Sequence, residues 1–405
     1  MAFTGVDMSD SFTVTTRTSW FSRIGNSFVG IIIGLVLILV GVVLLFWNEG
    51  RAVQTAKSLA EGKGIVVSVQ NGSVDAANDG KLIHTSGRVA TDETLLDRTF
   101  GITATGVRLV RKAEMYQWVE KSESKTETKV GGGQETVTTY TYAREWVDRP
   151  IDSGSFKQPD GHRNPQMTYQ GERFQIARGT LGAFALNAPV LDKISGSEAI
   201  PVTPDLLEGI KAAAGETGRP LVVADGRIYM GFNPGTPSVG DQRISYELVP
   251  LKDISVVGRQ ADGGFAYYQT QAGDALLMVS SGIVTAEQMF SDAESANTVL
   301  TWILRVVGLV VLMIAFALLF APLGVIGDVI PFVGRLVRMG TGLLAFALAV
   351  LTGSVVIAIA WFWYRPVLSL IIIAIGVAIT AGVMYLGRNR NKGAQPAAPQ
   401  PAAPA

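Results

Sequence analysis

Apolar and polar positions are unevenly distributed along the chain. Residues 24–48, "IGNSFVGIIIGLVLILVGVVLLFWN", contain no charge. Phe28–Trp47 alone supplies the roughly 20 apolar residues that cross a bilayer core. A cleaved signal peptide has a shorter oily core and a small-residue cleavage site. This run ends instead in Phe46, Trp47 and Asn48, so it predicts an uncleaved anchor bracketed by Trp20 and Trp47. Three further charge-free runs, Val306–Gly327, Met339–Tyr364 and Pro366–Gly387, are each long enough to cross. "WFWYRP" (361–366) separates the last two and predicts a tight turn at a lipid–water boundary with an aromatic belt.

The pattern therefore predicts an α+β membrane protein. Four transmembrane helices carry a large β-rich extracytoplasmic domain inserted between the first and the second. Basic flanks stay in the cytosol. Arg17 and Arg23 precede the first span, Arg335 and Arg338 lie between the second and third, and Arg388, Arg390 and Lys392 follow the fourth. The opposite short loop offers Arg365 alone. The expected order is a cytosolic segment 1–23, a span at 24–48, the extracytoplasmic domain 49–300 and a span at 301–321. A cytosolic interfacial or re-entrant segment 322–340, spans at 341–364 and 366–387, and a disordered cytosolic tail 388–405 follow. The tail "GAQPAAPQPAAPA" has no core-forming residues.

In the middle region the period changes. Val53, Ala56, Leu59 and Ala60 share a helical face, which extends the first span outward until "GKG" (62–64). Runs rich in β-branched and aromatic residues predict strands at 65–69, 81–89, 107–120, 219–232, 240–250, 254–260 and 274–282. Short helices are expected near 203–214 and 285–297, the second capped by Thr285. In "KSESKTETKVGGGQETVTTYTYAREWV" (121–147), charged residues alternate with Ser and Thr up to the glycines at 131–133. That predicts a long hairpin with a polar tip and an aromatic base of Tyr116, Trp118, Tyr140, Tyr142 and Trp146. Such an arm is either a solvated hairpin whose charges oppose edge aggregation or a docking arm.

Composition narrows the chemistry. Of 405 residues, 48% are hydrophobic and 17% charged, with a formal net charge of zero and no cysteine. Zero net charge gives no electrostatic footprint for nucleic acid. The missing cysteines remove disulfides, thiolate metal sites and thiol nucleophiles. Of the two histidines, His84 falls in an expected strand, and His162 lies in "DGHRNP" with Asp160 and Arg163. That trio is the candidate loop site for acid–base work. No His/Asp/Glu spacing suggests a metal, no phosphate-binding loop occurs, and no cofactor is expected.

The ionisable residues at the membrane boundary are Glu49, Arg51, Arg305 and Arg365. Glu49 and Arg305 are expected to pair at the outer rim, the alternative being Arg305 reaching a lipid phosphate. Gly30, Gly34 and Gly41 offer a small-residue face for helix packing or self-association.

"FWNEGRA", "SLAEG", "EMYQWVE", "GHRNP", "GDQRISYE", "AGDALLMVSSGIVTAEQMF", "TWILRVVGL" and "WFWYRP" together resemble the LUMA family, transmembrane protein 43, over roughly residues 20–387 in order. The resemblance implies four spans, a large lumenal or periplasmic domain and no enzyme activity. It also implies self-association and scaffolding of other membrane proteins in the lipid bilayer. Animal members reside in the endoplasmic reticulum and inner nuclear membrane. The cysteine-free, Ala/Gly/Val-rich composition points to a bacterial source, for which the inner membrane is the expected location. The expected function is a non-enzymatic membrane scaffold forming homo-oligomers. The alternative is a membrane-anchored sensor whose outer domain binds a lipid or small ligand.

Overall fold

The computed structural model describes residues 10–367 and, beyond them, 369–371, 374–375 and 377–379. They divide into two compact units. One comprises residues 10–27, 54–297 and 323–337; the other comprises 28–53, 298–322 and the described residues from 338 onward.

Three helices are long and apolar enough to cross a membrane: Trp20–Ile65, Ala286–Gly327 and Pro331–Tyr364. The first has 46 residues, about 69 Å at 1.5 Å per residue. Ser19 caps it by accepting from the Ser22 amide at 3.2 Å, and it ends one residue after "GKG". Thr285 caps the second, accepting from the Gln288 amide at 3.3 Å. The expected fourth span and the tail lie largely or wholly outside the described residues.

The expected interfacial or re-entrant segment at 322–340 is almost entirely helical. The second long helix runs through Pro322 to Gly327, and Pro331 starts the third. Proline suits the first helical position, where its missing N–H would be unpaired anyway.

The β-rich unit holds two main sheets. The eight-stranded sheet begins at the N-terminal strand Ser11–Thr18. It continues through Gln134–Val147, Arg108–Thr128, Gln242–Val249, Arg227–Met230 and Leu221–Ala224; Glu172–Gln175 and Glu198–Ile200 pair at its flanks. In the seven-stranded sheet, Asp253–Ala261 pairs with both Gly264–Ala266 and Leu82–Ala90. With Gly179–Leu181 and Phe184–Leu186, this closes a ring of strands. Alternation decides which faces are buried. Leu109, Arg111, Ala113 and Met115 point inward from one strand, and Gln242, Ile244 and Tyr246 from its neighbour. They join Phe100, Leu181, Phe184, Ile254 and Phe265 in one core. A smaller cluster, Leu59, Leu82, Val257, Leu276, Met289 and Phe290, holds the C-terminal end of the first long helix.

The core contains one buried ion pair. Arg111 Nη1 donates to both Asp97 oxygens at 2.7 Å, and Tyr246 donates to Asp97 Oδ2 at 2.7 Å. Burial, reinforced by that bond, raises the Tyr246 hydroxyl far above its ordinary value, so it remains a donor.

The hairpin Arg108–Thr128/Gln134–Val147 forms as expected, with Tyr116 and Trp146 in ring contact at 5.3 Å. It is not a free arm. The strand Ser11–Thr18 pairs along Gln134–Thr141, and Arg17 Nε donates to Glu135 at 2.9 Å. Residues 10–27, the hairpin and residues 323–337 therefore belong to one unit. The charge rule places the first and last of these on the face opposite the hairpin. That rule weighs flanking charge only and is blind to a hairpin that grips the flank. The longest strand of the sheet, Arg108–Thr128, has 21 residues and is about 70 Å long at 3.3 Å per residue.

Candidate functional site

The helical unit places a polar cluster among apolar helices. On the first long helix, Leu45, Asn48, Glu49, Ala52 and Val53 are buried. Their spacing is that of one helical stripe, so Asn48 and Glu49 sit on the same face as Leu45. On the second, Thr301 is followed by Arg305 one turn later and then by buried Leu312 and Ala315. On the third, Ala345, Ala349, Val356 and Ala360 lead to Trp361.

Glu49 is the centre. Arg305 Nε donates to Glu49 Oε1 at 2.6 Å and Nη2 to Oε2 at 2.9 Å. Trp361 Nε1 donates to Oε2 at 2.9 Å. One carboxylate thus joins three helices. Its side chain is 1% exposed and that of Arg305 14%. The guanidinium also lies over Trp302, 4.7 Å from the ring centroid, and a cation on an indole face gains further stabilisation. Beside this, Asn48 Nδ2 donates to the Thr301 carbonyl at 3.0 Å, and Arg51 Nη2 to Thr301 Oγ1 at 3.1 Å. Arg365 stacks 5.7 Å from the Trp361 centroid.

Close backbone approach makes this possible. A Cβ on Gly50 would lie 2.6 Å from the Tyr364 ring. One on Gly34 would lie 2.8 Å from the Ala315 carbonyl, and one on Gly41 2.8 Å from Leu312. Gly30 is looser, with 3.7 Å to Leu318. Gly30, Gly34 and Gly41 all face the second helix. Gly308 and Gly353 add contacts of the same kind against Leu45 and Leu309.

The structure therefore brings Glu49, Arg51, Arg305 and Arg365 together and pairs Glu49 with Arg305. Trp361 and the Asn48–Thr301 bond are additions. "WFWYRP" marks Trp361 as a belt aromatic, and nothing in the string marks its indole N–H as a third donor. A carboxylate offers about four acceptor sites; three are filled, all from within the chain. The arrangement spends the carboxylate's acceptors on donors from two neighbouring helices.

The loop trio does not converge. Asp160 and Arg163 pair with each other at 3.8 Å on the surface, with side chains 92% and 82% exposed. His162 is buried and turns elsewhere. Its Nδ1 faces the Gln158 carbonyl and its Nε2 faces Asp10, each at 2.9 Å. Its ring stacks on Tyr142 with centroids 4.0 Å apart. Burial, then the bond to Glu120, pushes the Tyr142 hydroxyl up to about 12. His84 also has both nitrogens engaged, Nε2 with the Val284 carbonyl at 2.8 Å and Nδ1 with Ser68 at 3.3 Å. Burial lowers its pKa. Among the described residues no cluster of three or more His, Asp or Glu is placed to hold a metal.

On the outer face of the large sheet a groove of about 790 Å³ runs past Trp146, Arg243, Glu114, Asp225 and Arg227. Its floor is lined by ion pairs, Arg243 to Glu114 at 2.6 Å and Lys112 to Glu247.

Comparison with known proteins gives a consistent answer. The family model for transmembrane protein 43 matches residues 115–366. Transmembrane protein 43 of Mus musculus is 31% identical over 362 residues, 86% of this chain and 88% of the relative. The Homo sapiens protein of that name is 31% identical over 371 residues, 88% and 90%. The Drosophila melanogaster homolog is 28% identical over 361 residues, 85% and 91%. No solved structure matches. A chain carrying three bilayer-length apolar helices and this extent of likeness is an integral membrane protein, and it belongs to the transmembrane protein 43 family.

Proposed function

We propose that this protein is a non-enzymatic, multi-pass membrane scaffold that associates with itself and with other membrane proteins. The observation carrying this reading is the Glu49 carboxylate. It is fully buried and holds donors from two neighbouring helices. Ionisable groups at membrane depth usually mark transport or catalysis; here the charge is consumed in binding helices together. Both histidines are likewise engaged with neighbours. What remains for function is surface. In a bacterium the location is the inner membrane; in an animal cell it is the endoplasmic reticulum or inner nuclear membrane. The test is crosslinking in native membranes followed by mass spectrometry. Self-crosslinks and a reproducible set of neighbouring membrane proteins are expected. A chain recovered without either refutes the scaffold.

The groove beside Trp146 supports a second reading, an anchored sensor binding a small ligand on the sheet. Trp146→Ala should then abolish a ligand-dependent rise in melting temperature while leaving the crosslinking pattern intact.

A further inference from the structure

Within the β-rich unit, three distant segments meet at one corner. They are the hairpin tip, the start of the first long helix and residues 323–337. The Gly131 amide donates to the Val329 carbonyl at 3.0 Å. Trp20 Nε1 donates to the Val325 carbonyl at 2.9 Å. Arg23 donates to the Gly132 carbonyl and pairs with Asp328, which is fully buried. Gly132 has φ +80°, and a Cβ there would fall 2.3 Å from the Trp20 ring. The tip is therefore built to seat against Trp20, and only glycine fits.

The polar groups of this corner face inward and its apolar groups face out. Val130 is 91% exposed, Phe21 78%, Phe332 73% and Ile330 59%. Val130 follows nine residues, 121–129, that are all Ser, Thr, Glu or Lys. Val329 and Ile330 form the turn between the second and third long helices, each of which is long and apolar enough to enter a membrane. The exposed patch continues directly from that turn to the tip. Arg335, exposed beside Phe332, has no ion pair among the described residues. Aromatic and aliphatic side chains beside an arginine are the composition of a lipid interface.

We infer that this corner is a lipid-surface anchor, in which Val130 of the hairpin tip enters the bilayer interface together with Phe21, Ile330 and Phe332. The partner is the membrane surface itself. The tip shares a leaflet with the helix start and the 323–337 turn. This inference is independent of the scaffold reading, because it concerns where the tip lies and not what the protein binds.

The chain has no cysteine, so single labels are unique. Val130→Cys and, as control, Lys125→Cys are labelled with an environment-sensitive fluorophore. The full chain is then placed in phosphatidylcholine vesicles containing phosphatidylglycerol. At 130 the expected result is blue-shifted emission, quenched by a shallow lipid-attached nitroxide and several-fold less by iodide than at 125. Iodide quenching equal to that at 125 puts the tip in water and overturns the proposal. Insensitivity to both quenchers buries the tip in a protein contact and overturns it too. Arg23→Ala removes the clasp and should move the 130 label toward water; an unchanged lipid signal would show that the corner does not hold the tip there.

Discussion

Removing the carboxylate of Glu49 should unfasten three helices at once. With Glu49 1% and Arg305 14% exposed, neither charge has water to fall back on. Removing one member of such a pair costs about 3–5 kcal/mol, because the other is left buried and uncompensated. At about 1.4 kcal/mol per tenfold, the folded-to-unfolded ratio of Glu49→Leu or Arg305→Met should fall by roughly two to three and a half powers of ten. Trp361→Phe removes one donor to the anion and should cost less, about 1.5–3 kcal/mol. Replacing both charges by apolar residues of similar size, Glu49→Leu with Arg305→Met, leaves no unpaired charge, only the Trp361 N–H without its acceptor, and should recover much of the loss. The assay is stepwise denaturation of purified protein in detergent, following folded protein by size-exclusion fluorescence. The cycle of two singles and the double isolates the coupling. Single variants as stable as the parent, or a double variant whose loss equals the sum of the singles, would refute the pairing as a structural tie.

Four further outcomes follow from distances and burial. Gly34→Val should cost about 1–3 kcal/mol through overpacking against the Ala315 carbonyl. Gly30→Ala, with 3.7 Å of room, should shift stability by less than about 0.5 kcal/mol in the same denaturation series. Asp97→Asn should destabilise the β-rich unit by about 1.5–3 kcal/mol, read as a lowered transition in thermal melting, because Arg111 stays in the core with only Glu172 as counter-charge. Burial lowers the pKa of His84 below its unfolded value of about 6.5. The unfolded chain then binds the extra proton first. Stability should be full above about pH 6.5, decline as pH falls through that value and level off below the folded pKa. The decline in melting temperature between pH 8 and pH 5.5 should be smaller in His84→Gln; an equal decline would show that His84 contributes nothing to it.

The membrane helices were legible because a charge-free run of 20 residues has few alternative explanations. Glu49 and Arg305 were legible for the complementary reason: charges are so rare near the spans that two at one level suggest each other. The glycines at 30, 34 and 41 named a packing face but not its partner, which the contacts with Leu312 and Ala315 identify. The hairpin was readable from its alternation and its glycines. Its cover strand Ser11–Thr18 was not, because a flank scanned for charge hides its pattern of Phe, Val and Thr. Strands of three residues, such as Gly179–Leu181 and Phe184–Leu186, are too short to show a period. Asp10, the partner of His162, lies 152 positions away, and no local pattern joins them. The Asp160–His162–Arg163 grouping failed because neighbours in a loop need not point the same way.

The pairing of Ser11–Thr18 with residues 134–141 has a consequence for biosynthesis. Arg17 must wait for Glu135, 118 positions later, and Trp20 for Val325, 305 positions later. At about 5–20 residues per second on the ribosome, those delays are roughly 6–24 s and 15–60 s. The strand Ser11–Thr18 can pair only once residues 134–141 have been made, and the Trp20 clasp closes only once translation has passed residue 325.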